Sequence, residues 1–221
     1  MADDTDRNPT GGLRVGACQT PEILADPDAA LACIEDFARQ GAEHNVDLLL
    51  FPECFLQGYL VDPDHVSRHA LDLGSPEFAA VLRRLKPITP TVVVGVIETE
   101  RGRYFNTAAV ITGGRLVGRY RKTRLMRGET VFAPGDAFPT FLLRGVRYGI
   151  KAGAHVRSAT ALPDGTNYSR PVRWTVSAPS GTAAIAAAET GVFESRHLPA
   201  LASTCRVEAG GMCRCPQGQA R

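Results

Sequence analysis

Two hydrophobic spacings alternate along the first 150 residues of this chain, one of period two and one of three to four. Residues 13–19 read as a strand with Val15 and Ala17 on one face. Asp26 is placed to cap a helix running to about His44, because Ala30, Ile34, Phe37 and Ala38 then fall on one side of it. The apolar run 46–51 is short enough for a buried strand. A second helix is predicted over 77–85, ended ahead of Pro87 and Pro90, since the residue before a proline avoids the helical region.

Hairpins follow. Strands are predicted at 91–98, 104–112 and 115–120, the last two joined by Gly113-Gly114, a pair suited to a tight two-residue turn. Another hairpin is predicted from 138–143 and 146–150 around Arg144-Gly145. With helices early and hairpins late, the pattern implies an α/β protein built on a mixed sheet.

The pattern then stops. Leu, Ile, Val and Phe fill 43 of the first 150 positions but only 10 of the last 71, where Ala, Gly, Ser, Thr and Pro fill 38. So few large apolar side chains hardly offset the entropy of ordering the segment, so residues 151–221 are expected to form a poorly structured, Ala/Gly/Arg-rich tail. The polar residues 1–12 are expected to be disordered as well.

Charge narrows the function classes only a little. The net charge of +2 is scattered, without the basic stripe that nucleic-acid binding requires. No apolar run approaches the roughly 18 residues of a membrane span, and the acidic start lacks the features of an export signal. A cytoplasmic protein is expected. Among the 25 basic residues only Lys86, Lys122 and Lys151 are lysines, a bias that points to a GC-rich coding sequence.

Two segments carry candidate chemistry. Glu53 directly follows an apolar run and Pro52 and is flanked by Phe51, Phe55 and Leu56. Burial there would raise its pKa, as a general base requires, whereas the bland reading is an exposed strand-end glutamate. Lys122 sits among Arg119, Arg121 and Arg124. It could stabilise an oxyanion, although on residue types alone a solvated basic turn is the commoner outcome.

Together these segments change the reading. Phe51-Pro52-Glu53 with Gly58-Tyr59, then Tyr120-Arg121-Lys122-Thr123, Gly128-Glu129 and Pro134-Gly135-Asp136 resemble the nitrilase superfamily of carbon–nitrogen hydrolases. Ala17-Cys18-Gln19-Thr20 and Phe105-Asn106-Thr107-Ala108 add to the likeness, which covers about residues 13–150. The resemblance implies an αββα sandwich, here incomplete, with helices on one face of a mixed sheet. It also implies a Glu–Lys–Cys triad: Glu53 as general base, Lys122 stabilising the tetrahedral intermediate, and Glu129 positioning the substrate or the base. The implied reaction hydrolyses a small amide, N-carbamoyl compound or nitrile through a thioester or thioimidate, without metal or organic cofactor. A homo-oligomer is the implied assembly, with no nucleic-acid or membrane partner.

The nucleophile breaks the likeness. It should follow the 147–150 strand, at about Gly153, and no cysteine lies between Cys54 and Cys205. Cys54 is a poor substitute, because neighbours in an extended segment face opposite ways. Cys205, Cys213 and Cys215 lack the spacing of a zinc site, and His155 and His197 lack partners. The chain as written is therefore expected to be inactive, with a non-catalytic binding or oligomerisation remnant as the alternative. A reading frame that slips near Ile150 accounts for both the compositional break and the lost motif. Translating the coding DNA across codons 140–160 in all three frames tests this: another frame should read into a Cys–aromatic–acid motif, and its absence from every frame would make the tail genuine.

Overall fold

The computed structural model describes residues 13–152, together with the backbone of four strands beyond them. The expected disorder of 1–12, and most of the expected tail, lie outside the described residues.

The chain opens with two parallel crossovers. Strand β1 (Leu13–Cys18) leads through helix α1 (Pro27–Glu43) to β2 (Leu48–Leu50). From there α2 (Pro63–His69) and α3 (Pro76–Leu85) lead to β3 (Thr91–Glu100). β1 pairs parallel with β2, and β2 with β3. Each helix starts on the same local chemistry. Asp26, Asp62 and Ser75 accept hydrogen bonds from the amides of Ala29, His65 and Phe78, and a proline opens the first turn. The hydrophobic pattern foretells α1 and α3 to within a residue or so. It misses α2, whose seven residues bury only His65 and Val66 and so carry no helical stripe.

The hairpins come next. β3 pairs antiparallel with β4 (Arg103–Thr112), which pairs with β5 (Arg115–Arg121) across Gly113 and Gly114. Both glycines have positive φ, 56° and 71°, as the tight turn demands. β6 (Thr140–Leu143) and β7 (Val146–Ala152) form a separate hairpin around Arg144 and Gly145. Of the remaining strands, β8 (Trp174–Ser177) and β9 (Ala186–Ala188) extend the β6–β7 sheet. β10 (Leu201–Val207) lies antiparallel to β1, with β11 (Cys213–Arg214) beside it.

Strict alternation makes the first sheet two-faced. Leu49, Val92, Val94, Val96, Ala109 and Ile111 pack under α1 and α3 against Ile34, Phe37, Phe78 and Leu85. Leu48, Leu50, Val93, Ala108, Val110 and Tyr120 point the other way and meet Phe141, Tyr148 and Ile150 of the second sheet. The described residues thus form a layer of α1 and α3, a sheet and a second sheet, while Val66 of α2 packs apart from that layer with Cys54, Ile97 and Phe132.

One glycine controls where the chain goes after β2. A Cβ on Gly95 would lie 2.1 Å from the Pro52 carbonyl oxygen and 2.3 Å from the Cys54 nitrogen. The segment bearing Glu53 therefore lies directly on the β3 backbone, where only a hydrogen fits. Gly95→Ala should destabilise the fold by at least about 3 kcal/mol, because backbone rather than a flexible side chain must move. Gly102→Ala, with open space around it and only a positive φ to strain, should cost roughly 1 kcal/mol. Urea unfolding of both variants checks the contrast, and equal losses would contradict it.

Candidate active site

The ends of β2 and β5 converge on the second-sheet side of the main sheet, against the inner residues of β3 and β4. After β2 the chain holds to β3 through Phe51 N–H donating to the Val93 carbonyl at 2.9 Å and Leu56 N–H to the Gly95 carbonyl at 3.0 Å. Between these bonds it turns sharply at Cys54, whose φ is 50°. Glu53 sits on that elbow with no exposed surface. Gln57 secures it from behind, accepting from Ile97 N–H at 3.0 Å and donating to the Ile97 and His69 carbonyls at 3.1 and 3.2 Å.

Lys122 arrives from β5. Its N–H donates to the Asn106 carbonyl at 2.8 Å, extending the ladder one residue past the strand. Gly135 N–H then donates back to the Lys122 carbonyl at 2.9 Å. A Cβ on Gly135 would strike the Arg121 carbonyl at 2.5 Å, which gives the Pro134-Gly135-Asp136 motif a packing reason. Glu129 comes from the loop between them, its Oε2 accepting from Met126 N–H at 2.6 Å.

The three predicted residues meet in one buried cluster. Lys122 Nζ donates to Glu53 Oε2 and to Glu129 Oε1, both at 2.9 Å. Lys122 is 0% exposed, Glu53 0% and Glu129 2%. Two side chains without an assigned role complete the cluster. Asn106 Nδ2 donates to Glu53 Oε2 at 2.7 Å, and Tyr59 Oη donates to Glu129 Oε1 at 2.7 Å. Both stand inside motifs visible in the sequence, but nothing in residue spacing says that they touch the carboxylates.

The bland reading of Lys122 fails for a definite reason. Its arginine neighbours point to the opposite face of the sheet, where Arg119 and Arg121 bind Glu98 and Glu100. Glu98 is fully buried and also accepts from Thr107 Oγ1 at 2.7 Å. Alternation along β5 thus sorts the basic run into a partly exposed arginine pair and one buried ammonium.

Burial dominates the electrostatics. It lifts the Glu53 carboxyl to about 7, with the Lys122 ammonium opposing the rise. Burial disfavours the Lys122 ammonium, yet the Glu53 and Glu129 carboxylates outweigh it and hold its pKa above the ordinary value. Burial and the bond to Glu129 push the Tyr59 phenol far up, so it remains a donor. Cys54 needs a corrected argument. The segment is a turn, not extended, and the thiol is buried with Val66, Ile97 and Phe132. Burial, with Glu53 next, drives its pKa well above the ordinary thiol value, which leaves it a poor nucleophile.

Gly153, His155, His197 and Cys215 lie outside the described residues, while Cys205 and Cys213 fall on β10 and β11. Among the described residues no group of three or more His, Cys, Asp or Glu side chains could hold a metal ion. Nor is any helix among them long and apolar enough to cross a membrane.

Comparison with known proteins shows the family. The family model described as carbon-nitrogen hydrolase matches residues 14–162. An (R)-stereoselective amidase from Pseudomonas sp is 36% identical over 107 residues, which are 48% of this chain and 39% of the amidase. A glutamine-dependent NAD(+) synthetase from Mycobacterium tuberculosis is 30% identical over 131 residues, 57% of this chain and 19% of the synthetase. The chain therefore spans well under half the length of either relative. A mutant of the amidase from Nesterenkonia sp. AN1, with acrylamide added at its active site cysteine, superposes with a TM-score of 0.51 at 25% identity. That match covers 61% of this chain and 55% of the amidase.

The raised Glu53 pKa makes a stability prediction. Between the ordinary carboxylate value and about 7 the folded state holds a proton that the unfolded chain has released. Stability should therefore fall as pH rises through that window, by a few kcal/mol in order of magnitude. Glu53→Gln should flatten the decline. Urea midpoints at pH 5 and pH 8 for both proteins check it, and parallel declines would count against the assignment.

Proposed function

Because the chain belongs to the carbon–nitrogen hydrolase family, we propose that its buried cluster is the acid–base half of an amide-hydrolysing site whose nucleophile this sequence lacks. The observation that carries this reading is a difference between the two carboxylates. Glu129 has both oxygens engaged, Oε1 by Lys122 and Tyr59 and Oε2 by Met126 N–H. Glu53 has its Oε2 held twice, while its buried Oε1 has no partner among the described residues. Glu53 is therefore the carboxylate with an oxygen free to move a proton, and Glu129 is a clamp on Lys122 and Tyr59.

Lys122 complements it. An ammonium carries three donors, and two are spent on Glu53 and Glu129, leaving one for an oxyanion. With a cysteine supplied at the position of Gly153, Glu53 Oε1 would take the thiol proton as sulfur attacks the amide carbon. Lys122 would balance the charge developing on oxygen. The proton would pass to the departing amine, leaving a thioester. Glu53 would then take a proton from water, whose oxygen attacks the thioester and releases the acid and the thiol. A carboxyl with a pKa of about 7 suits both directions of transfer at neutral pH.

A small primary amide is the favoured substrate class over a nitrile or an N-carbamoyl compound. One relative is named an amidase, and another is named for its dependence on glutamine, itself a primary amide. The chain as written is inactive in this proposal, because glycine has no side chain with which to attack. The alternative is a non-catalytic protein that retains the pocket for binding or self-association, favoured by the glycine at 153 alone. A slipped reading frame near Ile150 remains our explanation for the lost motif.

The full chain should hydrolyse small aliphatic amides at no more than the background rate, since losing a covalent nucleophile costs several orders of magnitude. Ammonia release is the measurement. Turnover abolished by iodoacetamide would sink the reading. A cooperative thermal transition raised by a small amide, without ammonia release, would favour the binding alternative.

A further inference from the structure

Asn106 touches all three charged members of the cluster. Its amide donates to Glu53 Oε2 at 2.7 Å and reaches Glu129 Oε1 at 3.4 Å, while its backbone carbonyl accepts from Lys122 N–H at 2.8 Å. The residue is fully buried on β4, opposite Ile97 of β3. Both of its side-chain neighbours are carboxylates, so the NH2 end must face them. That leaves Oδ1 buried and without a partner among the described residues, as Glu53 Oε1 is.

A carboxyl held by one donor can still rotate about its terminal bond and exchange its two oxygens. Lys122 alone would leave Glu53 with that freedom. A second donor on the same oxygen, coming from a different strand, removes it. We propose that Asn106 is a positioning residue: it pins Glu53 through Oε2 and so keeps Oε1 as the oxygen that exchanges protons. This rests on the reading of Glu53 as the general base and adds the residue that orients it. Nothing else on β4 can take the part, since the adjacent Thr107 points to the other face and binds Glu98.

The test needs no turnover. Infrared titration of the full chain follows the protonated carboxyl band, assigned to Glu53 by its loss in Glu53→Gln. The parent should titrate near neutrality. A donor to the charged form lowers a carboxyl pKa, so Asn106→Leu should raise the Glu53 titration by about one to two pH units. Asn106→Ser, small and polar, should shift it in the same direction and decides the matter if the leucine variant does not fold. Thr107→Val should leave it in place, separating positioning from general loosening of β4. Titrations of both Asn106 variants that superimpose on the parent's, or an equal shift in Thr107→Val, overturn the proposal. A parent with no near-neutral titration overturns the reading of Glu53 as the base and this inference with it.

Discussion

An ammonium with none of its surface in water requires compensation within hydrogen-bond reach, because an uncompensated buried charge costs several kcal/mol. Lys122 finds it in Glu53 and Glu129, each 2.9 Å away. The requirement reaches far along the chain, since the three residues come from positions 53, 122 and 129. The elbow after β2, the end of β5 and the loop beyond it must all settle in register before the charge is balanced. Gly95 and Gly135 serve that settlement, each admitting a backbone contact that any side chain would block.

The same sheet carries a second buried carboxylate, and its surroundings differ from those of Glu53. Glu98 receives Thr107, Arg119 and Arg121, and both of its oxygens are occupied. Glu53 shares its partner lysine with a competing carboxylate and keeps one oxygen bare. Burial lifts the Glu53 carboxyl toward neutrality because its compensation is incomplete. Incomplete satisfaction in a buried site is costly to stability, and it is what proton transfer requires.

The carbon–nitrogen hydrolase family model matches residues 14–162, the stretch that holds β2 to β7 and this cluster. The likeness to the amidase relatives stops well short of their full length. What those relatives place beyond the shared region is therefore no guide to what this chain does after residue 162.

Much of the architecture was legible in the sequence. The period-two runs, Asp26 as a helix cap, and the glycine pairs at the turns are local features, and local sterics and hydrogen bonding act through neighbouring residues. Helix α2 was not, because seven residues with one buried aliphatic side chain leave no periodic trace. Glu53 was suggested by its apolar flanks, yet Lys122 looked like part of a solvated basic run until family likeness singled it out. The sequence by itself determined strands β1 to β7, two of the three described helices and the identity of the charged residues, but none of β8 to β11. Only the tertiary structure decided that β5 turns its arginines to Glu98 and its lysine to Glu53. It alone brought Asn106 and Tyr59 onto the carboxylates and placed the Pro52–Cys54 backbone on Gly95. These are contacts between residues dozens of positions apart, set by strand register and close packing, and no local pattern along the chain encodes them.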